Sequence, residues 1–173
     1  MKAALRVSGR EDARAAAQLL AGQGYAIAGA DDTGPVDLLV VDEWTPEHDA
    51  HVMRARQQGS SITVLAELVL GSATGPVVGV TGTAGKTSTC RALAHILRQA
   101  GVAVAISDTA RSANAWPDHS LAEGLECGQT VVAELTSTHL CHMDDLRLDV
   151  AVVTTVRPDH VELHGTLDDY YAS

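Results

Sequence analysis

A chain of 173 residues is long enough for one sizeable core or two small ones; this one carries a formal charge of -10 and contains no phenylalanine. The negative balance argues against nucleic acid and against an anionic membrane as partners, since either is approached against repulsion, whereas a nucleotide needs only a local cluster of donors and a cation. No run reaches the roughly 18 apolar residues of a membrane span, the opening MKAALRVSGRED is too polar for a signal peptide, and Cys90, Cys127 and Cys141 make no CxxC pair, so a reduced, cytoplasmic protein is expected.

In chain order, residues 5–7 read as a short first strand, and EDARAAAQLLAGQG as a helix with Ala13, Ala16, Ala17 and Leu20 at helical spacing and Gly24 as its stop. YAIAGAD is a weak second strand, VDLLVV (36–41) a third, PEHDAHVMRARQQ (46–58) a helix and SITVL (61–65) a fourth strand. The punctuated GSATGP at 71–76 marks a junction, which divides the chain into domains 1–73 and 74–173. Beyond it PVVGVT, VAVAIS, TVVAEL (130–135) and DVAVVTTV (149–156) read as strands, and TSTCRALAHILRQAG as a helix with Cys90, Leu93, Leu97 and Ala100 on one face. Residues 108–128 read as loops and short turns. Strands alternating with helices predict an α/β fold with a mostly parallel sheet, and near-continuous apolar strands predict burial on both faces.

GVTGTAGKTS (79–88) stands between a strand and a helix. The generic phosphate-loop pattern wants a glycine at position 80, which is Val80, yet Gly82 and Gly85 leave room for an incoming phosphate and for the backbone angles of such a turn. Gly82, Thr83, Ala84, Gly85, Lys86, Thr87 and Ser88 are therefore the expected nucleotide-binding residues. Backbone N–H groups at the helix N-terminus supply donors, Lys86 a mobile charge for the terminal phosphates, and Thr87 a hydroxyl for Mg²⁺. Downstream, Glu134 ends an apolar run in which a carboxylate is costly unless it meets a cation or donors. Asp159 and His160 lie just beyond the last strand; His160 can ligate a metal when neutral, and Asp159 can orient it. A zinc cluster of His160, Glu162 and His164 on one helix face is disfavoured for want of ligands. The fragment His139-Leu140-Cys141-His142 resembles a metal site in composition only, with nothing evident to complete the set.

Three segments, GVTGTAGKTS (79–88), AELTSTHL (133–140) and TTVRPDHVELHGTLDDYYAS (154–173), fall in one order that resembles the central ATPase domain of the Mur ligase family. The resemblance spans residues 76–173. It implies a partial P-loop ATPase domain that uses ATP and Mg²⁺, with Lys86 and Thr87 serving ATP and its magnesium. Glu134 and His160 would hold a second magnesium, supported by Asp159. It further implies an ATP-dependent carboxylate–amine ligase that phosphorylates a carboxylate on a UDP-linked muramoyl substrate and joins an amino acid to it. Residues 1–73 resemble a shortened Rossmann-like UDP-binding domain of the family's D-glutamate-adding branch, with Ser8-Gly9-Arg10 at the glycine-rich turn. Ala84 and Thr155 stand where the family has asparagine, which predicts two lost polar contacts, and the family's C-terminal part is missing. The chain is thus expected to be a fragment or truncated form. Two alternatives stand beside this reading: a degenerate homologue without turnover that binds nucleotide, or only a protein partner, and a poly-γ-glutamate or cyanophycin synthetase-like ligase.

Overall fold

A computed structural model describes residues 1–29, 34–107, 122 and 125–173. Most of the expected loop region 108–128 and the end of YAIAGAD therefore lie outside the described residues. The first 71 residues contain β1 (Lys2–Arg6), α1 (Arg10–Gly22), β2 (Ala26–Ile27), β3 (Leu38–Val41), α2 (Ala50–Gln57), β4 (Ser61–Val64) and α3 (Leu65–Gly71). All strand pairs here are parallel, in the order β2-β1-β3-β4. The central position of β3 explains its unbroken apolar run, since all four of its residues are buried.

Local chemistry sets the helix boundaries. Glu11 and Asp12 occupy the first turn of α1, where they complement the positive end of the helix dipole, and Ala15, Ala16 and Leu20 form its buried stripe. The second helix starts at Ala50 and not at Pro46, because Asp49 caps it: its carboxylate accepts from the N–H of His51 at 2.8 Å and of Val52 at 3.4 Å. Leu65, expected to end a strand, instead opens α3, in which Leu65, Ala66, Leu68, Val69 and Leu70 are all buried. A short, wholly apolar run does not distinguish a strand from a buried helix.

The second half contains β5 (Val77–Thr81), α4 (Lys86–Gln99), β6 (Val104–Ser107), β7 (Thr130–Glu134), α5 (Ser137–Leu140), β8 (Val150–Val153), α6 (Val161–His164) and α7 (Leu167–Ala172). Its strands are again parallel, in the order β6-β7-β5-β8. The helix of this unit presents Cys90, Leu93, Ala94 and Leu97 to the sheet, while Ala100 lies past its end and is exposed. Burial on both faces fails for β8: Val150 and Val153 are 51% and 60% exposed. Among the described residues this strand lies at the sheet edge and pairs only with β5, so its apolar run marks a strand without marking an interior one.

Alternation along β5 and β7 sorts their side chains between two cores. Val78, Val80 and Val132 pack with Cys90 and Ala94 of α4. Val77, Val131, Ala133 and Leu135 belong to the cluster that holds the buried face of α3 and the first sheet. Among the described residues no helix is long and apolar enough to cross a membrane.

Leu135 is almost fully buried in that shared cluster. Leu135→Ala is expected to remove about 2–5 kcal/mol of stability, measured by urea unfolding, with both halves still unfolding in one transition. Two separated transitions in the unmodified protein would contradict a shared core.

Candidate functional site

Parallel pairing brings the carboxyl ends of β5, β7 and β8 to one edge, with Val80 opposite Glu134 and Thr81 opposite Val153. In α/β sheets this is the edge where ligands bind. Residues 82–85 connect β5 to α4. Gly82 has φ +125°, and a Cβ there would collide with the Thr154 hydroxyl and lie 2.6 Å from the Thr155 carbonyl oxygen. Gly85 caps α4 in the left-handed region at φ +90° and offers no side-chain acceptor, so the N–H groups of the first turn face outward without one from the cap. Both glycines are thus required, one by close approach and both by backbone angle.

The loop is tied down on one side by the segment after β8. Thr83 N–H donates to the Thr155 carbonyl at 2.8 Å, and Ala84 N–H to the Thr155 hydroxyl at 2.9 Å. Thr154 donates its hydroxyl to the Ala84 carbonyl at 2.7 Å. The Thr83 hydroxyl accepts from Arg157 N–H at 2.8 Å, and Tyr170 donates to the Arg157 carbonyl at 2.6 Å. Ala84 and Thr155, expected to mark two lost polar contacts, therefore meet each other. The Lys86 ammonium lies back over the loop, donating to the carbonyls of Gly82 at 2.7 Å and Thr83 at 3.4 Å. Thr87, in the first turn of α4, donates its hydroxyl to Glu134 Oε2 at 2.8 Å. Glu134 is 3% exposed, so the end of its apolar run has not reached solvent.

A cavity of about 780 Å³ opens beside this arrangement. Of the expected residues, Gly82, Thr83, Lys86, Glu134, Asp159 and His160 line it; Ala84, Gly85, Thr87 and Ser88 do not, although Thr87 reaches Glu134. His160 is the non-glycine residue with positive φ, +50°, among the described residues, and it immediately precedes α6. Its ring stands edge-on to Trp44 with centroids 5.5 Å apart, 3.8 Å from Asp159 and 3.5 Å from Glu162. The left-handed turn separates His160 from His164, which is buried and faces elsewhere, so the His160/Glu162/His164 cluster does not form.

Residues the sequence reading did not assign to the site complete the cavity: Glu43 and Trp44 from the first unit, and Tyr170 and Tyr171 from α7. The position of residues 43–44 just past the end of β3 was the available signal. Three alternate residues there each meet a buried histidine of the second unit. Glu43 Oε2 lies 2.8 Å from His139 Nε2, the Thr45 carbonyl 2.7 Å from His142 Nε2, and Glu47 Oε1 3.0 Å from His164 Nδ1. His139 also closes a capping box on α5 with Thr136. At the Ser8 turn, where the single remaining glycine is weak evidence for UDP binding, the Ser8 N–H donates to Asp42 at 2.9 Å, which puts a negative charge at that turn.

The residues present fit a magnesium nucleotide: a glycine-requiring turn, an uncapped helix N-terminus, and a hydroxyl beside a buried carboxylate with oxygen donors suited to Mg²⁺. The family description "Mur ligase middle domain" matches residues 80–173. The chain belongs to the Mur ligase family. It is 34% identical over 160 residues to a UDP-N-acetylmuramoylalanine–D-glutamate ligase of Symbiobacterium thermophilum, covering 92% of this chain and 33% of that enzyme. The Streptococcus pyogenes enzyme of the same name is 30% identical over 146 residues, covering 80% and 31%. The chain thus spans about a third of the length of these relatives. A solved MurF ligase of Thermotoga maritima in complex with ADP overlaps 79% of this chain and 38% of its own at a TM-score of 0.48 and 23% identity, too loose a likeness to carry an argument.

Burial perturbs groups at the junction of the units. It pushes the Cys141 thiol up to about 12, helped by Glu47, so this cysteine is no nucleophile at neutral pH. Glu67, which accepts from Thr63 and from Asp145 N–H, is raised by burial above its ordinary 4.5. His142 is lowered from 6.5, chiefly by burial and against its bond to Thr45, with Arg56, Glu47 and His164 facing it. The unfolded chain therefore takes up a proton near pH 6.5 that the folded chain refuses until lower pH. Stability from the buried neutral ring is complete above that pH and is lost as pH falls toward the folded value. Urea unfolding from pH 8 to 5 is expected to show this decline, with a shallower slope in His142→Gln; an unchanged slope in the variant would contradict it.

Proposed function

We propose that this chain is the nucleotide-handling part of an ATP-dependent ligase that joins an amino acid to a UDP-N-acetylmuramoyl precursor. The names of its relatives favour D-glutamate as that amino acid and favour the muramoyl acceptor over polyglutamate or cyanophycin. The observation that carries the reading is the Thr87–Glu134 contact beside the glycine turn, which sets a magnesium-type oxygen pair at a polyphosphate-binding helix end. In this reading residues 1–73 form a Rossmann-like unit that walls the cavity through Glu43 and Trp44, and residues 74–173 form the partial ATPase unit.

The first-turn amides of α4 and the loop 82–85 bind the phosphates, and Lys86 leaves the Gly82 carbonyl to neutralise charge on the transferring group. Thr87 and Glu134 would hold one magnesium, and His160, with Asp159 behind it, would help Glu134 hold a second on the acceptor side; such ions would neutralise the repulsion between ATP and the acceptor carboxylate. The carboxylate oxygen attacks the γ-phosphorus and ADP leaves. The amine nitrogen then attacks the acyl carbon of the resulting acyl phosphate, inorganic phosphate departs, and the amine proton passes to solvent or a base. Tyr170 keeps the loop and the 154–157 segment in register through Arg157.

A second reading, a homologue that binds nucleotide without turnover, draws on the Lys86 ammonium being folded onto its own loop and on the Ala84 amide being taken by Thr155. Calorimetric titration with Mg·ATP is expected to show one site, weakened roughly 10–100-fold by Lys86→Ala, the equivalent of about 1.5–3 kcal/mol for hydrogen bonds from a charged group. Absence of binding would overturn both readings. Binding without D-glutamate-dependent phosphate release by the full gene product would favour the second.

A further inference from the structure

The junction of the two units holds a set of donors that the nucleotide site does not use. Glu47, from the segment after β3, meets Cys141, which follows α5, and His164, the last residue of α6. One carboxylate oxygen, the thiol sulfur and one imidazole nitrogen all lie within 4.8 Å of one another. Carboxylate, thiol and imidazole together are the ligand types of zinc-class ions, and a thiol is foreign to magnesium. We infer that Glu47, Cys141 and His164 form a binding site for a thiophilic divalent cation of the zinc class, linking the two units beside the cavity.

The geometry around each ligand supports this. His164 is buried, and its Nε2 lies 3.1 Å from the Ser137 hydroxyl while Nδ1 lies 3.0 Å from Glu47 Oε1. As it stands Nδ1–H donates to the Glu47 carboxylate and Nε2 accepts from the Ser137 hydroxyl; with the ion on Nδ1 the ring takes the other tautomer and Nε2–H donates to Ser137, the arrangement in which an outer hydrogen bond orients a metal-ligating histidine. Arg56 sits 3.8 Å from the other Glu47 oxygen, Oε2, and donates to the Cys141 carbonyl, so it braces the pair from outside. The Cys141 sulfur at present donates to the Thr138 carbonyl at 3.3 Å. Bonds of about 2.0–2.3 Å place tetrahedral ligand atoms about 3.3–3.8 Å apart, so closing the set takes a movement of roughly an ångström by the thiol. The thiol proton leaves to solvent as the sulfur–metal bond forms, and the Nδ1 proton is exchanged through solvent for one on Nε2, so the imidazole stays neutral. One carboxylate, one thiolate and a neutral imidazole then balance the dication, and water takes the fourth position. His139 and His142, the sequence neighbours of Cys141, point instead at Glu43 and Thr45, which is why HLCH read locally showed no complete ligand set.

Cadmium titration of the whole chain saturated with Mg·ATP, read by the thiolate-to-cadmium charge-transfer absorption, tests the site. One ion per chain is expected, with the band lost in Cys141→Ser, binding weakened roughly ten-fold or more in His164→Gln, and both retained in Cys127→Ser. Absence of the band, its survival in Cys141→Ser, or its loss in Cys127→Ser, which removes an exposed thiol, would overturn the inference. Should Cys141→Ser not fold, the unmodified chain decides: excess zinc is expected to displace the cadmium and remove the band, and a band that persists under excess zinc would overturn the site.

Discussion

The parallel register of β5 against β7, with Val80 opposite Glu134, is the constraint on which the site depends. A slip of one residue would turn the Glu134 carboxylate to the other face of the sheet and leave Thr87 without its partner. The register is held by the alternation that sends Val78, Val80 and Val132 toward α4 and Val77, Val131, Ala133 and Leu135 into the apolar cluster shared with the first unit. Burial thus does more than stabilise the second unit; it aims a carboxylate at the start of a helix whose first amides lack a side-chain cap.

Buried residues of α3 and the first sheet share one apolar cluster with Val77, Val131, Ala133 and Leu135 of the second unit, so the two units meet over a continuous apolar cluster. Around that cluster the contacts are polar and specific. Residues 43, 45 and 47 each meet one buried histidine, and Glu67 accepts the Asp145 amide at 2.7 Å. Because Trp44 lies within this stitched segment, the contacts that join the units also carry it to His160 and so shape the cavity wall.

How much of this was legible in the sequence follows from the range of each interaction. The glycine turn between β5 and α4 was readable because its requirements are local: two glycines at fixed positions, a lysine, and a strand and helix on either side. Glu134 was readable as a charge in an apolar run, a conflict that burial beside Thr87 resolves. Leu65 and β8 misled in opposite ways, because an apolar run reports neither helix against strand nor interior against edge. The left-handed backbone at His160 cancelled the helical spacing that paired it with His164. The meeting of Ala84 with Thr155, and of Glu43 and Trp44 with the second unit, joins residues far apart in the chain, and no local pattern encodes such pairs.

Electron paramagnetic resonance of Mn²⁺ with ATP tests the central claim most directly, because phosphorus hyperfine coupling reports metal and phosphate in one bound complex. The account predicts one protein-bound Mn²⁺ coupled to ATP phosphorus in the unmodified chain, and loss of that bound species in Glu134→Gln when the variant keeps its fold by circular dichroism. An identical bound signal in Glu134→Gln, or none in the unmodified chain, would contradict it.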